Sequence, residues 1–186
     1  IGNIRLVHEL NKNYKGEVLR LTLLSAHYKQ PLNWTEEIIE QNSKMLDRLY
    51  RVLLELSDIK VDTGLPSDSI MENFLDDLNT PKVIAKLNEE ANSVSSASDN
   101  KKVDIKKNLL SAGKILGILE NDPENWLGYN QNSAENSEEI ERLINERNEA
   151  RRSKNFSLAD TIRDTLREKG IEIEDTDKGT IWRKSR

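Results

Sequence analysis

Apolar residues recur with a helical period along most of this chain, and short polar or proline-containing segments separate the repeats. The strongest pattern ends at Leu56, and Asn33 with Glu36 three residues later predicts a capping box at its start. Arg5–Lys12 and Glu17–Ala26 are predicted as two shorter helices before it. One apolar face is expected on the long helix, formed by Ile38, Met45, Leu49, Val52, Leu53 and Leu56.

A second helical section is predicted after a loop over Ile59–Ser69, which contains Gly64 and Pro66. Asn92–Asn100 is rich in Ser and Asn, and its composition predicts a mobile connector. The helices expected around that connector cover Ile70–Asp77, Val83–Ala91, Val103–Leu119 and a short segment from Pro123 to Leu127.

A second compact unit is predicted at the C-terminus, after a polar linker at Gly128–Ser137. Asn136 and Glu139 are expected to cap a helix that reaches about Lys154. Asn155 is expected to cap the next helix, Phe156–Lys169.

Gly170 follows where a left-handed residue usually ends a helix. The alternation in Ile171–Glu174 predicts a half-buried strand, and Thr180–Arg183 can pair with it across a turn at Asp177-Lys178-Gly179. The expected fold is therefore mainly α, a helical bundle followed by a small α+β tail of two helices and a β-hairpin.

The composition agrees with helices that expose much of their surface to solvent, because 33% of residues are charged, 35% are hydrophobic and 5% are aromatic. No apolar run approaches the length of a membrane span, so we expect a cytoplasmic protein without a membrane partner. The chain begins at Ile1 without a methionine, and we expect it to be a fragment.

Few residues in the chain could carry chemistry of their own. It contains no cysteine, and His8 and His27 are its only histidines, so neither a metal site nor a nucleophile–histidine pair is expected. Asp76-Asp77 and Glu89-Glu90 are interpreted as solvated helix faces. No catalytic residue is therefore assigned.

The charge is unevenly distributed along the chain. The net charge is −5, but residues 151–186 contain ten Lys/Arg and seven Asp/Glu, which leaves −8 for the other 150 residues. Only this last stretch has a charge compatible with an RNA backbone.

Phe156, Asp160, Arg163 and Arg167 form a stripe on the last predicted helix, on a different face from Ala159, Ile162 and Leu166. An aromatic ring beside a carboxylate and two guanidinium groups suits unpaired RNA bases, which stack on rings and bond to polar groups. The structural alternative places Phe156 as a minor core residue with ordinary charge pairs around it.

Several ordered segments resemble the C-terminal half of the cysteinyl-tRNA synthetases. Ile1-Gly2-Asn3 resembles the residues that follow that family's lysine-rich ATP loop. The other matching segments are Glu17–Arg20, Ser25–Tyr28, Pro31–Asn33, Asp76–Pro81, Leu116–Leu119, Ala150-Arg151, Asn155-Phe156, Ala159-Asp160, Ile162–Asp164, Lys169–Ile171, Glu174–Thr176 and Gly179–Trp182.

The resemblance implies that residues 1–58 are a stem-contact segment, 59–128 an anticodon-binding helical bundle, and 129–186 a mini-domain that recognises the GCA anticodon of the tRNA for cysteine. The parent enzyme would activate cysteine with ATP and Mg and attach it to that tRNA. Its catalytic domain, with one zinc ion, would precede this chain. The fragment would bind no cofactor, act as a monomer and be catalytically inactive alone.

Matched by position, Arg151, Phe156, Asp160 and Asp175 fall where the family places base-contacting residues. Phe156 would stack on a base where some members have Trp. Asp160 and Asp175 would accept hydrogen bonds from base edges, and Arg151 would contact a base or a phosphate. Arg163 shares the stripe and joins the predicted RNA-binding set.

Two alternatives from other classes remain. The first is an acidic helical scaffold that binds protein helices and no RNA, supported by the −8 charge of the first 150 residues. The second is a synthetase-derived fragment with a different role.

Overall fold

In the computed structural model, residues 6–129, 137–176 and 179–184 are described. The chain divides into two compact units, Ile1–Pro123 and Glu124–Arg186. The helices are α1 (Val7–Leu10), α2 (Gly16–Leu24), α3 (Glu36–Glu55), α4 (Asp68–Leu75), α5 (Thr80–Ser93), α6 (Asp99–Leu116), α7 (Pro123–Leu127), α8 (Ser137–Arg152) and α9 (Phe156–Glu168), and the strands are β1 (Ile171–Thr176) and β2 (Gly179–Lys184). The predicted fold class, mainly α with a terminal hairpin, is confirmed.

Helix α3 is the centre of the N-terminal unit and contacts α2, α5 and α6. It begins after Thr35, whose hydroxyl accepts the Ile38 backbone N–H at 3.3 Å. The prediction of Asn33 as the cap was wrong by two residues, because a threonine in extended conformation directly before Glu36 satisfies the same free N–H groups.

The buried face of α3 differs from the predicted one in its first half. Ile39 and Leu46 are fully buried, whereas Ile38 and Met45 lie at the edge of the core. Leu49, Val52, Leu53 and Leu56 are buried as predicted. The predicted stripe starts one residue too early in this half of the helix. Successive residues are rotated by about 100° around the helix axis, so a shift of one residue selects a neighbouring row of the helix surface.

The predicted mobile connector at Asn92–Asn100 is mostly helical, which corrects that prediction. Helix α5 continues to Ser93, a 3-10 turn follows at Val94–Ser96, and α6 begins at Asp99. Val94 is buried, so this segment is tied to the core despite its polar composition.

A partly buried carboxylate joins both ends of the N-terminal unit. Glu17 accepts hydrogen bonds from the Tyr50 hydroxyl at 2.8 Å, the Leu119 backbone N–H at 3.0 Å and the Asn121 side-chain amide at 2.6 Å. Burial and the Glu17 hydrogen bond raise the pKa of Tyr50, so its phenol stays a donor. These bonds fasten α2 and α3 to the segment after α6.

The C-terminal unit has its own core, in which α8 packs on α9 and α9 packs on β1. The strands are antiparallel, with Ile173 opposite Trp182 and Asp175 opposite Thr180. Gly170 links α9 to β1 with a φ of +72°, as predicted for a helix-ending glycine. The core consists of Ile140, Ile144, Ile162, Leu166 and Ile171, with Leu143, Ile173 and Trp182 packed against it.

Some sequence-based predictions concern residues outside the described ranges. These are the Asn136 cap, most of the linker at Gly128–Ser137, and Asp177 and Lys178 of the hairpin turn. The division into a stem-contact segment at 1–58, a bundle at 59–128 and a tail at 129–186 stays a prediction, since these bounds describe RNA contacts.

Candidate nucleic-acid interface

A tight turn between α8 and α9 forms one edge of the candidate site. The Asn155 backbone N–H donates to the Ala150 carbonyl at 2.8 Å, and Lys154 adopts a left-handed φ of +59°. Together they end α8 as a left-handed C-terminal motif does. The Asn155 side chain then accepts the Leu158 N–H at 3.3 Å and starts α9. Arg151 and Phe156 consequently flank one short turn.

Helix α9 separates a buried face from an exposed one. Ala159, Ile162 and Leu166 are buried in the core of the C-terminal unit. Phe156, by contrast, leaves 61% of its surface exposed, which excludes the structural alternative that it is a minor core residue. The exposed face therefore carries Phe156, Asp160, Arg163 and Arg167.

An open cavity of about 830 Å³ lies beside this face. Asp160, Arg163, Asp164 and Arg167 line it on the helix side, and Ile171, Glu172 and Ile173 line it on the strand side. Within the described parts of the chain, Arg163 and Arg167 form no ion pair and Asp160 accepts no hydrogen bond. These three groups are available to a ligand.

Asp175, on β1, is in the opposite situation. Its Oδ1 accepts from Arg147 Nη1 at 3.0 Å and from the Thr180 hydroxyl at 2.8 Å. Its Oδ2 accepts from Arg147 Nη2 at 2.9 Å and also from Arg151 Nη1. The Thr180 hydroxyl is in addition 3.1 Å from the side-chain oxygen of Asn148. One carboxylate thus joins α8 to both strands.

These contacts favour the charged forms of the groups involved. The Arg147 hydrogen bonds, helped by Thr180 and Arg151, hold the pKa of Asp175 well below its ordinary value. The Asp175 carboxylate in turn raises the pKa of Arg147, with a smaller contribution from the charge of Asp160. Asp175 and Arg147 therefore keep their charges at neutral pH.

The structure brings the predicted residues together in one region of the C-terminal unit. Arg151 and Asp175 form an ion pair, and Phe156, Asp160 and Arg163 share the exposed face of α9. Arg147 is absent from the set of functional residues predicted from the sequence. Its i, i+4 spacing from Arg151 was the available signal, because that spacing puts two guanidinium groups on one side of α8.

A second polar cluster, in the N-terminal unit, has a structural explanation. Asp77 accepts hydrogen bonds from the Tyr28 hydroxyl at 2.7 Å and from the Lys29 ammonium, and the Thr80 hydroxyl donates to the Leu24 carbonyl at 2.8 Å. Asn79 caps α5. The Asp76–Pro81 segment thus fastens the end of α2 to the α4–α5 loop.

Two further classes of site are absent from the described residues. No helix there combines the length and the apolar character required to cross a bilayer. No cluster of three or more His, Asp or Glu side chains there could hold a metal ion.

Comparison with known proteins finds similarity both for this region and for the whole chain. Residues 133–183 match the family described as the cysteinyl-tRNA ligase anticodon binding domain. The chain is 47% identical to the cysteine–tRNA ligase of Parvibaculum lavamentivorans, with 98% of the chain and 40% of that protein aligned. It is 39% identical to that of Maricaulis maris, over 99% of the chain and 40% of the relative.

Another relative is the cysteine–tRNA ligase of Xanthomonas campestris, at 38% identity over 100% of the chain and 40% of the relative. The chain thus spans about two fifths of the length of the relatives it matches. Every residue of the candidate interface lies within the range matched by the domain family.

Proposed function

Because residues 133–183 match the family described as the cysteinyl-tRNA ligase anticodon binding domain, we propose that this chain is the tRNA-binding and anticodon-recognition part of a cysteine–tRNA ligase. The whole protein would activate cysteine with ATP in the cytoplasm and attach it to its tRNA. The chain aligns with about 40% of the length of the Parvibaculum lavamentivorans relative. Since no catalytic constellation is recognised in its sequence, it would bind tRNA without catalysing the ligation, and we propose that it does so as a monomer.

The observation that supports this most strongly is the exposed face at the start of α9. Phe156 is exposed where an apolar residue gains nothing from the fold, and a base could stack on it. Asp160, one turn further, has open acceptor positions for a base amino or imino group. Arg151 would contact a base or a phosphate, and Asp175 pairs with it.

Arg163 would contact the RNA backbone. It lines the cavity beside α9 with Arg167, and neither guanidinium forms an ion pair within the described ranges. The excess of ten Lys/Arg over seven Asp/Glu in residues 151–186 supports this contact, because it gives that part of the chain a charge that attracts phosphate.

The cofactors of the proposed parent enzyme, ATP, Mg and zinc, would be bound outside this chain. A zinc site for a thiol substrate draws on Cys and His ligands, and this sequence has no cysteine and two histidines. The residues present therefore do not fit that metal.

A binding titration tests the proposal. The chain is titrated against fluorescent tRNA with the GCA anticodon, and against the same tRNA with each anticodon base replaced in turn. We expect tighter binding to GCA and weaker binding for each replacement, by about 1–3 kcal/mol per mismatched base edge. Equal affinity for all anticodons, or no binding at low salt, would contradict the proposal, and the second result would favour the acidic-scaffold alternative.

A further inference from the structure

The hydrogen-bonding capacity of Asp175 is already used within the protein. An ionised carboxylate has about four lone-pair positions. Arg147 occupies two of them, Thr180 a third and Arg151 the fourth. A base that bonded directly to Asp175 would have to displace one of these donors, and three of the four come from guanidinium groups.

The two arginines differ in their exposure. The side chain of Arg147 is 8% exposed, whereas that of Arg151 is 49% exposed. Arg147 binds both carboxylate oxygens, so the carboxylate is fixed in plane and position from the protein side. Arg151 uses one nitrogen for Asp175 and presents its remaining donors to solvent.

The other carboxylate of the predicted RNA-binding set offers a direct comparison. Asp160 accepts no hydrogen bond from the described residues, and it lies beside Phe156 on the exposed face of α9. Of the two acids, Asp160 therefore has free acceptor positions and Asp175 has filled ones. Their roles at the same interface should differ accordingly.

We infer that Asp175 and Arg147 are positioning residues for anticodon recognition, and that they act by holding the Arg151 guanidinium in a fixed orientation toward an acceptor on the RNA. This rests on the proposed function. The orientation matters because a long arginine side chain loses about 1–2 kcal/mol of rotamer entropy when it is ordered. Asp175 imposes part of that order before RNA arrives, so less of the cost falls on binding.

Charge alone predicts the opposite effect of removing Asp175. Loss of a carboxylate makes the interface more positive, and a more positive surface binds a polyanion more tightly. A decrease in affinity on Asp175→Asn must therefore come from lost geometry or from a lost contact.

A double-mutant cycle separates these two causes. The affinity of the full chain for an RNA hairpin with a GCA loop is measured for Asp175→Asn, Arg151→Met and the double variant. We expect each single change to weaken binding about tenfold, the loss typical of one charge-assisted hydrogen bond. The double variant should be no weaker than Arg151→Met alone, since Asp175 has then nothing left to orient.

The matched control is Glu139→Gln. Glu139 is an exposed carboxylate of the same unit that bonds Lys169 at 2.7 Å, and it lies outside the candidate site. Its substitution changes the net charge by the same amount as Asp175→Asn. We expect unchanged or slightly tighter RNA binding.

A second measurement follows Arg151 in the protein without RNA. The guanidinium nitrogen signals of Arg151 in NMR should show hindered rotation in the unchanged chain and free rotation in Asp175→Asn. Arg147→Lys, which keeps a cation but loses the two-point contact, should release Arg151 partly and weaken binding less than Asp175→Asn. It also provides the test if Asp175→Asn does not fold.

Three results would overturn the inference. An Asp175→Asn loss of equal size with and without Arg151 would mean direct base contact. An Arg151 guanidinium that is mobile in the unchanged chain, or as ordered in Asp175→Asn as before, would show that Asp175 does not hold it. Absence of RNA binding by the unchanged chain would reject the proposed function and this inference together, whereas the first two results leave the proposed function standing.

Discussion

At the scale of single residues, the C-terminal unit contains two kinds of charged side chain. Arg147 is buried and bonds both carboxylate oxygens of Asp175, so its charge stabilises the fold. Asp160 and Arg163 are exposed, and neither has a hydrogen-bond or ion-pair partner among the described residues. The same residue types therefore differ in function because their neighbours differ, which a one-dimensional pattern cannot show.

Phe156 gives the clearest prediction at this scale. Because it is exposed, Phe156→Ala should change the free energy of unfolding by less than about 0.5 kcal/mol. The same change should weaken binding to the GCA hairpin by about 1–3 kcal/mol, since it removes the phenyl ring on which one base would stack. Fluorescence anisotropy measures the binding, and Phe156→Trp should restore it.

Leu158 provides the control for Phe156. It is another exposed apolar residue in the first turn of α9, and Leu158→Ala should leave RNA binding unchanged. Equal losses for the two alanine variants would mean that binding depends on the helix start in general, and the stacking role would be rejected.

Asp175 also predicts a pH dependence of stability. Its pKa is lowered in the folded state, so its contribution to stability is present above the ordinary Asp pKa and is lost as pH falls through the folded pKa. At pH 7, Asp175→Asn should destabilise the unit by about 1 kcal/mol, a low figure because the carboxylate is partly exposed and screened.

The difference in the free energy of unfolding between the unchanged chain and Asp175→Asn should narrow as the pH is lowered below about 4. Urea titrations at neutral and acidic pH, followed by NMR signals of β1 and β2, measure it. A gap that stayed constant down to acidic pH would show that the charge of Asp175 is not the source of the effect.

At the scale of elements, two left-handed residues set the directions of α9 and β1. Lys154 has a φ of +59° in the α8–α9 turn, and Gly170 has a φ of +72° between α9 and β1. Gly170 adopts this conformation freely, whereas Lys154 is strained there by its Cβ atom. The turn that places Arg151 next to Phe156 thus has an energetic cost.

The two positions should respond in opposite directions. Gly170→Ala should destabilise the unit by about 1 kcal/mol from backbone strain alone, since nothing lies within 4 Å of the added Cβ. Lys154→Gly should stabilise it by up to about 1 kcal/mol, because the strain disappears while unfolded-state entropy rises. Chemical denaturation measures both, and a stabilising Gly170→Ala would contradict the argument.

Sequence patterns predicted the types of these elements better than their ends. The Asn155 cap and the Gly170 stop are correct because each depends on a hydrogen bond or a φ angle within a few residues. The prediction of a mobile connector at Asn92–Asn100 was wrong, because it rested on the polar composition of the segment. Val94 is buried there and packs the 3-10 turn against the core. Local signals were sufficient only where local forces dominate.

At the scale of the whole molecule, the chain forms two compact units, each with a hydrophobic core. In the N-terminal unit, α3 packs on α2, α5 and α6, and in the C-terminal unit α8 and α9 pack with the hairpin. A core substitution should therefore loosen the unit that contains it.

Leu166 and Leu109 test this arrangement, because both are completely buried. Leu166→Ala should destabilise the C-terminal unit by about 2–5 kcal/mol, and Leu109→Ala the N-terminal unit by a similar amount. Hydrogen exchange with peptide resolution should show faster exchange in α8, α9 and the strands for the first variant, and in α3, α5 and α6 for the second. Faster exchange in both units for either variant would indicate one cooperative body.

The candidate site was predicted from the sequence only in part. The spacing of Phe156, Asp160 and Arg163 predicts their common face, because a helix of 3.6 residues per turn fixes which residues are neighbours. Asp175 lies on a strand, and no helical period relates it to Arg151. Its inclusion in the predicted set depended on the family resemblance.

By itself the sequence determined the helical class, the terminal hairpin, the exposed stripe and the uneven charge, since each follows from residue order and local geometry. Only the tertiary structure decided that Arg147 is buried against Asp175, that the four acceptor positions of this carboxylate are filled, and that those of Asp160 are open to solvent. Those facts depend on α8 and β1 meeting in space. Hydrogen bonds between residues distant in the chain form only after the core has brought them together.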